Sequence, residues 1–243
     1  CVLGTVPTFL LENEYKTLNT PVPIRNYQDV AKYAGDNLPD FTMYDALETI
    51  LTESNGATIY MINVFDETTH KTAVEDEEHS PTAAKFNINH VGLTNLTVSK
   101  GETTGVLNTD YKVINNIENT TIELISEGFK TAETVTCSYT FADVSKVTAS
   151  DVVGTVSATG VKSGSKAITN IPQLYGEDVN IIIAPEYSAL PEVRNALISV
   201  AEDIKARVYL DCPAGTTVNK AVQARQNEVD GLDLRCSSQN AYM

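Results

Sequence analysis

The residues of this sequence best placed for chemistry lie in one segment, Asp211-Cys212-Pro213-Ala214-Gly215-Thr216-Thr217. The segment follows an apolar run and precedes a helical pattern, which predicts a turn between a buried strand and a helix. In α/β enzymes this position binds an anion or holds a catalytic Asp. The same residues also suit a structural turn, in which the proline and glycine set the backbone and a threonine caps the helix. Because no second polar cluster converges on the turn, the structural interpretation is favoured.

A second segment, Gly160-Val161-Lys162-Ser163-Gly164-Ser165-Lys166, has the composition of a phosphate-binding loop but not its spacing. A Walker loop places four residues between its glycines and Lys-Ser or Lys-Thr directly after the second glycine. Here three residues separate the glycines, Ser-Lys follows them, and no buried strand precedes the segment. A surface turn is therefore predicted.

The remaining titratable residues form no recognisable catalytic or metal-binding motif. The three histidines, His70, His79 and His90, lie outside the α/β part of the chain, where doubly wound folds keep their sites. The sequence contains no GxSxG, HExxH or CxxC motif. We therefore predict no catalytic residue, no cofactor and no metal, and a protein that is not an enzyme.

Composition and charge exclude two further classes of function. The chain has 243 residues with a formal net charge of −15, and such a field repels nucleic acid and anionic lipid. No run approaches the roughly 20 apolar residues that a membrane helix requires. The four cysteines are far apart and lie in or beside apolar runs, as expected of free thiols in a reducing cytoplasm, although a pairing of Cys212 with Cys236 stays open.

The order of predicted elements favours an α/β core domain, with a largely parallel sheet and flanking helices, interrupted by a small antiparallel β domain. Residues 1–66 and 154–243 alternate apolar strands with amphipathic helices over short links, which implies right-handed crossovers. Residues 67–153 show period-two patterns between Gly, Asn and Asp turns, typical of a sandwich or barrel. An acidic stretch within 67–86, Glu75-Asp76-Glu77-Glu78, is predicted as a solvated loop, with a cation site as the less favoured alternative.

The predicted elements have the following positions. In the core domain they are strand Val22–Tyr27, helix Met43–Ser54, strand Ala57–Phe65, strand Val179–Pro185, helix Leu190–Ala206, strand Arg207–Asp211, helix Thr217–Glu228 and strand Leu232–Cys236. In the insert they are strands Leu93–Val98, Tyr111–Ile114, Thr121–Ile125 and Thr134–Phe141.

Four stretches, taken in order, share their patterning with a known family. Residues 23–35 (PIRNYQDVAKYAG) lead from a strand into a helix, and residues 44–64 join a helix through Asn-Gly-Ala to the strand YMINV. Residues 139–154 have the pattern of an exit from an inserted domain. Residues 180–213 give a strand, a long helix and a strand that ends in Asp-Cys-Pro. This order resembles the contractile tail sheath family of phages, R-type bacteriocins and related injection systems. In that family the second stretch reads NGG and YVVRV, so Ala57 and Asn63 depart from it.

The resemblance implies a structural subunit that forms stacked hexameric rings around a tail tube and contracts to drive the tube through the target envelope. It implies self-assembly through terminal arms, contacts with the tube and a baseplate, and residence in the tail of a virion or phage-like particle assembled in the host cytoplasm. Sheath proteins have an N-terminal arm and a C-terminal region without counterparts here. The strand-like runs at both ends, Cys1–Val6 and Cys236–Met243, indicate a fragment, which we expect to be monomeric.

Two other functions remain open from the sequence. The first is an α/β enzyme or ligand-binding domain with a β lid and a site near Asp211–Thr217, which a deep pocket with convergent polar groups would support. The second is an adhesin that reads its receptor through exposed aromatic residues of the insert. Against the adhesin, the patterning predicts that the insert's aromatic residues are core: Tyr111, Phe129, Tyr139 and Phe141.

Overall fold

The computed structural model of the protein describes residues 1–54, 56–226, 234, 236 and 238–242. Its strands and helices, in chain order, are β1 (Val2–Gly4), β2 (Val22–Ile24), α1 (Tyr27–Tyr33), α2 (Met43–Glu53), β3 (Ile59–Asn63), β4 (Lys71–His79), β5 (Lys85–Ile88), β6 (Thr94–Lys100), β7 (Thr103–Thr104), β8 (Tyr111–Asn115), β9 (Thr120–Leu124), α3 (Glu127–Lys130), β10 (Val135–Ala142), α4 (Ala149–Val153), α5 (Ile171–Tyr175), β11 (Ile181–Ile182), α6 (Pro191–Ile204), β12 (Arg207–Tyr209), α7 (Val218–Arg225) and β13 (Ala241–Tyr242).

The described residues divide into two units. The first contains Cys1–Gly35, Phe41–Phe65 and the described residues from Val147 onward, and the second contains Asp36–Asp40 and Asp66–Lys146. The fold is therefore mixed α/β, with most of the helices in the first unit and most of the strands in the second. Residues 147–153, which the sequence analysis assigned to the insert, contain α4 and belong to the first unit.

The sheet of the first unit is built from two three-stranded parts. In one part β3 pairs in parallel with β1 and antiparallel with β2. In the other part β12 lies between β11 and β13 and is parallel to both. A parallel bridge between Val2 and Ile183 joins the two parts, with the Leu3 N–H donating to the Ile183 carbonyl at 2.9 Å.

Strand β3 is buried on both faces because its alternate side chains enter two different cores. Ile59 and Met61 pack with α2, β2 and the segment after β1. Tyr60 and Ile62 pack with residues of α4, α6 and β12. All five residues of the strand are buried, as the continuous apolar run of the sequence predicted.

The helices begin at side chains suited to that role. Asn26 accepts a hydrogen bond from the Asp29 N–H at 3.0 Å and so caps α1. At α4, Thr148 and Asp151 form a reciprocal capping box. Helix α6 has Pro191 in its first turn, and one face of it is buried against the sheet, through Val193, Leu197, Val200 and Ala201.

The second unit consists of two antiparallel sheets. One has the strand order β4-β10-β6-β7 and the other has the order β5-β9-β8. Buried residues of both sheets contribute to one hydrophobic cluster: Phe86, Ile88, Val98, Tyr111, Ile122, Leu124, Val135, Cys137 and Tyr139. Phe129 also lies in this cluster and Phe141 packs against it, so the insert's aromatic residues are core, as predicted.

The prediction of a solvated loop over 67–86 was wrong, because β4 spans Lys71–His79 and pairs with β10 along its length. Charged residues are compatible with this strand because it lies at a sheet edge, where charge discourages pairing with other chains. A bulge opposite Ser138 accommodates Asp76, whose φ is 53° and whose N–H donates to the Ser138 hydroxyl at 3.0 Å.

One other predicted strand is shorter in the structure, and a second is not tested by it. The ladder in the Val179–Pro185 run covers only Ile181–Ile182, and the Ile181 side chain is exposed rather than buried. The strand predicted at Leu232–Cys236 falls mostly outside the described residues, as does the end of the Thr217–Glu228 helix. The remaining core-domain predictions are confirmed to within a few residues, including α2, α6 and β12.

Candidate functional site

The turn after β12 uses its one carboxylate to hold a neighbouring loop. The Asp211 Oδ2 atom accepts hydrogen bonds from the Glu186 N–H at 2.9 Å and from the Ser188 hydroxyl at 2.8 Å. The Ser188 oxygen in turn accepts from the Asp211 N–H at 2.8 Å. Glu186 has a φ of 67°, a backbone conformation unusual for this residue type. Asp211 therefore stabilises an otherwise unfavourable turn before α6.

The two threonines that follow are also used locally. Thr216 donates to the Pro213 carbonyl at 2.6 Å, and Thr217 accepts from the Lys220 N–H at 3.3 Å as the cap of α7. The groups that an anion would need are thus engaged in the turn itself. The geometry agrees with the structural interpretation of Asp211–Thr217.

The Gly160–Lys166 segment is a turn whose polar groups are already bonded within the first unit. An isolated bridge pairs Val156 with Lys162, and the Lys162 ammonium donates to the Thr169 hydroxyl at 2.6 Å. The Gly164 N–H donates to the Asn19 Oδ1 at 2.7 Å. A phosphate loop needs free backbone N–H groups and a lysine directed at the bound phosphate, whereas the Gly164 N–H and the Lys162 ammonium are already engaged within the unit.

Two glycines let the backbone of this segment cross that of the α4 end. A Cβ atom on Gly164 would lie 2.5 Å from the Val152 carbonyl, and one on Gly154 would lie 1.9 Å from the Ser163 carbonyl. Both glycines also have positive φ, 51° and 69° respectively. Only glycine satisfies both requirements, so these positions fix the segment against the core.

Asn63, one of the two departures from the family pattern, has a structural role that the sequence did not reveal. The side chain is fully buried, and its Oδ1 accepts from the Val6 N–H at 3.0 Å and the Phe65 N–H at 2.9 Å. Its Nδ2 donates to the Thr17 carbonyl at 2.8 Å and the Phe65 carbonyl at 2.9 Å. The amide thus bonds the end of β3 to two parts of the N-terminal segment. A single polar residue in an apolar strand is the signal that could have indicated this.

The second unit contains a chain of polar contacts that the sequence also did not predict. The Tyr139 hydroxyl donates to the Glu77 Oε2 at 2.7 Å, and the His90 Nδ1 lies 2.9 Å from the Tyr139 oxygen. The His79 Nε2 lies 3.1 Å from the same carboxylate oxygen, although the two are not aligned as a hydrogen bond. Burial, and then the Glu77 carboxylate, raise the pKa of Tyr139 above its usual range.

A cleft of about 490 Å³ lies at the start of β1, β3 and β11. Its walls are mainly apolar, and within it the Tyr60 hydroxyl donates a hydrogen bond to the Glu177 carboxylate at 3.0 Å. Burial, followed by this hydrogen bond, raises the pKa of Tyr60. The titratable groups that line the cleft are those of Cys1, Tyr60, Glu177 and Asp178.

The described part of the chain has neither a cluster of metal ligands nor a membrane-spanning helix. These residues contain no group of three or more His, Cys, Asp or Glu side chains that could hold a metal ion. None of the described helices has the length and apolar composition needed to span a bilayer. All four cysteines are free thiols, so Cys212 and Cys236 do not form a disulfide.

Comparison with known proteins gives one informative match. No model of a protein family matches the chain. The chain is 34% identical over 214 residues to the tail sheath protein of Burkholderia phage BcepMu. The match covers 86% of this chain and 44% of the phage protein, so the chain spans less than half of that relative's length. The relative is a structural protein of a phage tail and not an enzyme. The resemblance to the tail sheath family is therefore confirmed, and the chain is homologous to part of a tail sheath protein.

Proposed function

We propose that this chain is the body of a contractile tail sheath subunit, which polymerises as stacked hexameric rings around a tail tube and contracts to drive the tube through the target cell envelope. The observation that carries the proposal is the 34% identity over 214 residues to a phage tail sheath protein. Relatedness over 86% of the chain leaves little of it for an unrelated catalytic function.

The local structure supports a role in transmitting force. A subunit that transmits force needs a core that does not deform when its contacts change. The buried amide of Asn63 and the crossing at Gly154 and Gly164 each tie loops of the first unit to its core. We further propose that the segments on either side of the insert form a largely parallel α/β sheath body with flanking helices, and that the insert predicted at 67–153 is an antiparallel β-sandwich as far as Lys146.

The proposed partners are further copies of the subunit, the tail tube protein and the baseplate. Copies would be joined by terminal arms through strand addition, which keeps subunits connected while other surfaces change register. The two units of this chain would supply the surfaces that change register during contraction. Under this proposal the chain alone is a monomer, and it acts in the tail of a virion or phage-like particle assembled in the host cytoplasm.

Labelling of intact particles tests this function. Antibodies raised against the 243-residue chain would be applied to purified particles that contain this protein and examined by electron microscopy. A sheath subunit predicts label along the whole tail shaft, shortening together with the shaft when contraction is triggered. Label confined to the tail tip or to fibres would instead support an adhesin, and unlabelled tails would overturn the proposal.

A further inference from the structure

The second unit contains all three histidines of the chain, and two of them lie on either side of one carboxylate–phenol pair. His90 stacks on Phe141 with ring centroids 3.7 Å apart, and His79 stacks on Phe86 at 4.6 Å. These stacks hold each imidazole close to the Tyr139–Glu77 hydrogen bond. The contacts connect four parts of the unit: β4, β5, β10 and the segment between β5 and β6.

These contacts favour the ionised form of the Glu77 carboxyl group. Burial alone would raise the pKa of Glu77, but the hydrogen bond from Tyr139 and the neighbouring His79 and His90 outweigh it, so the pKa lies below its usual range. The ionised carboxylate is therefore stabilised in the folded state relative to the unfolded chain.

We propose that Glu77, Tyr139, His79 and His90 form an acid-sensitive clamp that holds the edge strand β4 on β10. The ionised Glu77 accepts a hydrogen bond from the Tyr139 hydroxyl, and the His79 Nε2 lies 3.1 Å from the same carboxylate oxygen. When acid protonates Glu77, the charge assistance of the Tyr139 hydrogen bond and the favourable contact of the carboxylate charge with the neighbouring rings are lost. The stabilisation is present above the unfolded pKa of the carboxyl group and disappears as the pH falls through the lower folded pKa.

Other charged groups close to the clamp are few. On β10 the buried Cys137 thiol lies near both Glu77 and Tyr139, and burial raises the pKa of that thiol to about 12, so it stays neutral. On β5 the Lys85 ammonium is paired with Glu123 of β9 at 3.2 Å. On β4 itself the neighbouring Glu78 is exposed and provides a matched control.

Carboxyl titration and hydrogen exchange on the full 243-residue chain test the clamp. By carbon-detected NMR, the Glu77 carboxyl should titrate at lower pH in the folded chain than in the chain unfolded by urea. At pH 6, Glu77→Gln and Tyr139→Phe should each lower the protection of β4 amides about three- to tenfold, a range that allows for partial exposure of the carboxylate. Near pH 3 neither variant should differ from the parent, and Glu78→Gln should have no effect at either pH.

Two results would overturn the clamp. One is a Glu77 carboxyl that titrates at the same pH in the folded, unsubstituted chain as in urea, a measurement that does not depend on any variant folding. The other is a loss of β4 protection in Tyr139→Phe that is as large at pH 3 as at pH 6, because such a loss would reflect packing rather than charge.

Discussion

Replacing Asn63 with leucine tests whether the buried amide holds the N-terminal segment to β3. Leucine has a similar size, but it leaves the Val6 and Phe65 N–H groups without their acceptor in a fully buried position. Each unpaired buried N–H costs about 2 kcal/mol. The two carbonyls that lose the Nδ2 donor together add about 1 kcal/mol to this destabilisation. The buried leucine side chain offsets about 2 kcal/mol of it through the hydrophobic effect. The net expectation is a loss of about 3 kcal/mol in the free energy of unfolding.

Urea denaturation followed by far-UV circular dichroism measures this loss. The chain has no tryptophan, so backbone signal is the appropriate probe. With a slope of about 2 kcal/mol per molar urea, the midpoint of the first unit should fall by about 1.5 M. Asn195→Leu, at an exposed position on α6, is the matched control and should change stability by less than about 0.5 kcal/mol. Equal midpoints for the two variants would refute the role assigned to Asn63.

Three further predictions address the other structural features. Gly164→Ala should destabilise the first unit by about 2–4 kcal/mol in thermal unfolding, because the added Cβ clashes with the backbone and the residue has a positive φ. Gly128→Ala, at an open position, should have little effect. Equal melting temperatures for the two variants would contradict the close backbone crossing at Gly164. Asp211→Ala should lower the free energy of unfolding by about 1–2 kcal/mol. The double variant with Ser188→Ala should lose less stability than the sum of the two single variants, because the two side chains share a hydrogen bond. Strictly additive losses would contradict this coupling. Burial raises the pKa of Cys137 to about 12. At pH 8 its thiol should therefore react with a disulfide reagent about a thousand times more slowly in the folded chain than in urea. Comparable reaction rates in the two states would show that the thiol is accessible.

Elements of the first unit with strong periodicity were predictable from sequence alone. Helix α2 and helix α6 each carry a clear apolar stripe, and β3 is a continuous apolar run. In these segments the local pattern and the tertiary burial agree, so the pattern is sufficient to place the element.

Strand β4 was missed because its composition is that of a loop. Four consecutive acidic residues, Glu75 to Glu78, dominate the segment, and the period-two signal is broken by the bulge at Asp76. Pairing with β10, which lies more than 50 residues later in the chain, is what makes this stretch a strand. An edge strand with only one partner tolerates such charges, and local propensity does not reveal the partner.

The polar contacts of the structure were less predictable than its elements. Tyr139 and Glu77 are 62 positions apart, so spacing gives no sign that they meet. The sequence predicted that Asp211 lies in a turn. It did not predict the hydrogen bond from the Glu186 N–H to Asp211, because this bond depends on two separate strand ends lying side by side. Such contacts follow from tertiary packing rather than from a motif.

Assembly of the longer subunit is the most direct test of the central proposal. A sheath protein that includes this chain together with its terminal arms would be purified and examined by negative-stain electron microscopy, with the 243-residue chain as the control. The account predicts straight hollow tubes or stacked rings from the longer protein and discrete monomers from the chain alone. Discrete small particles from the longer protein at every salt concentration would contradict it.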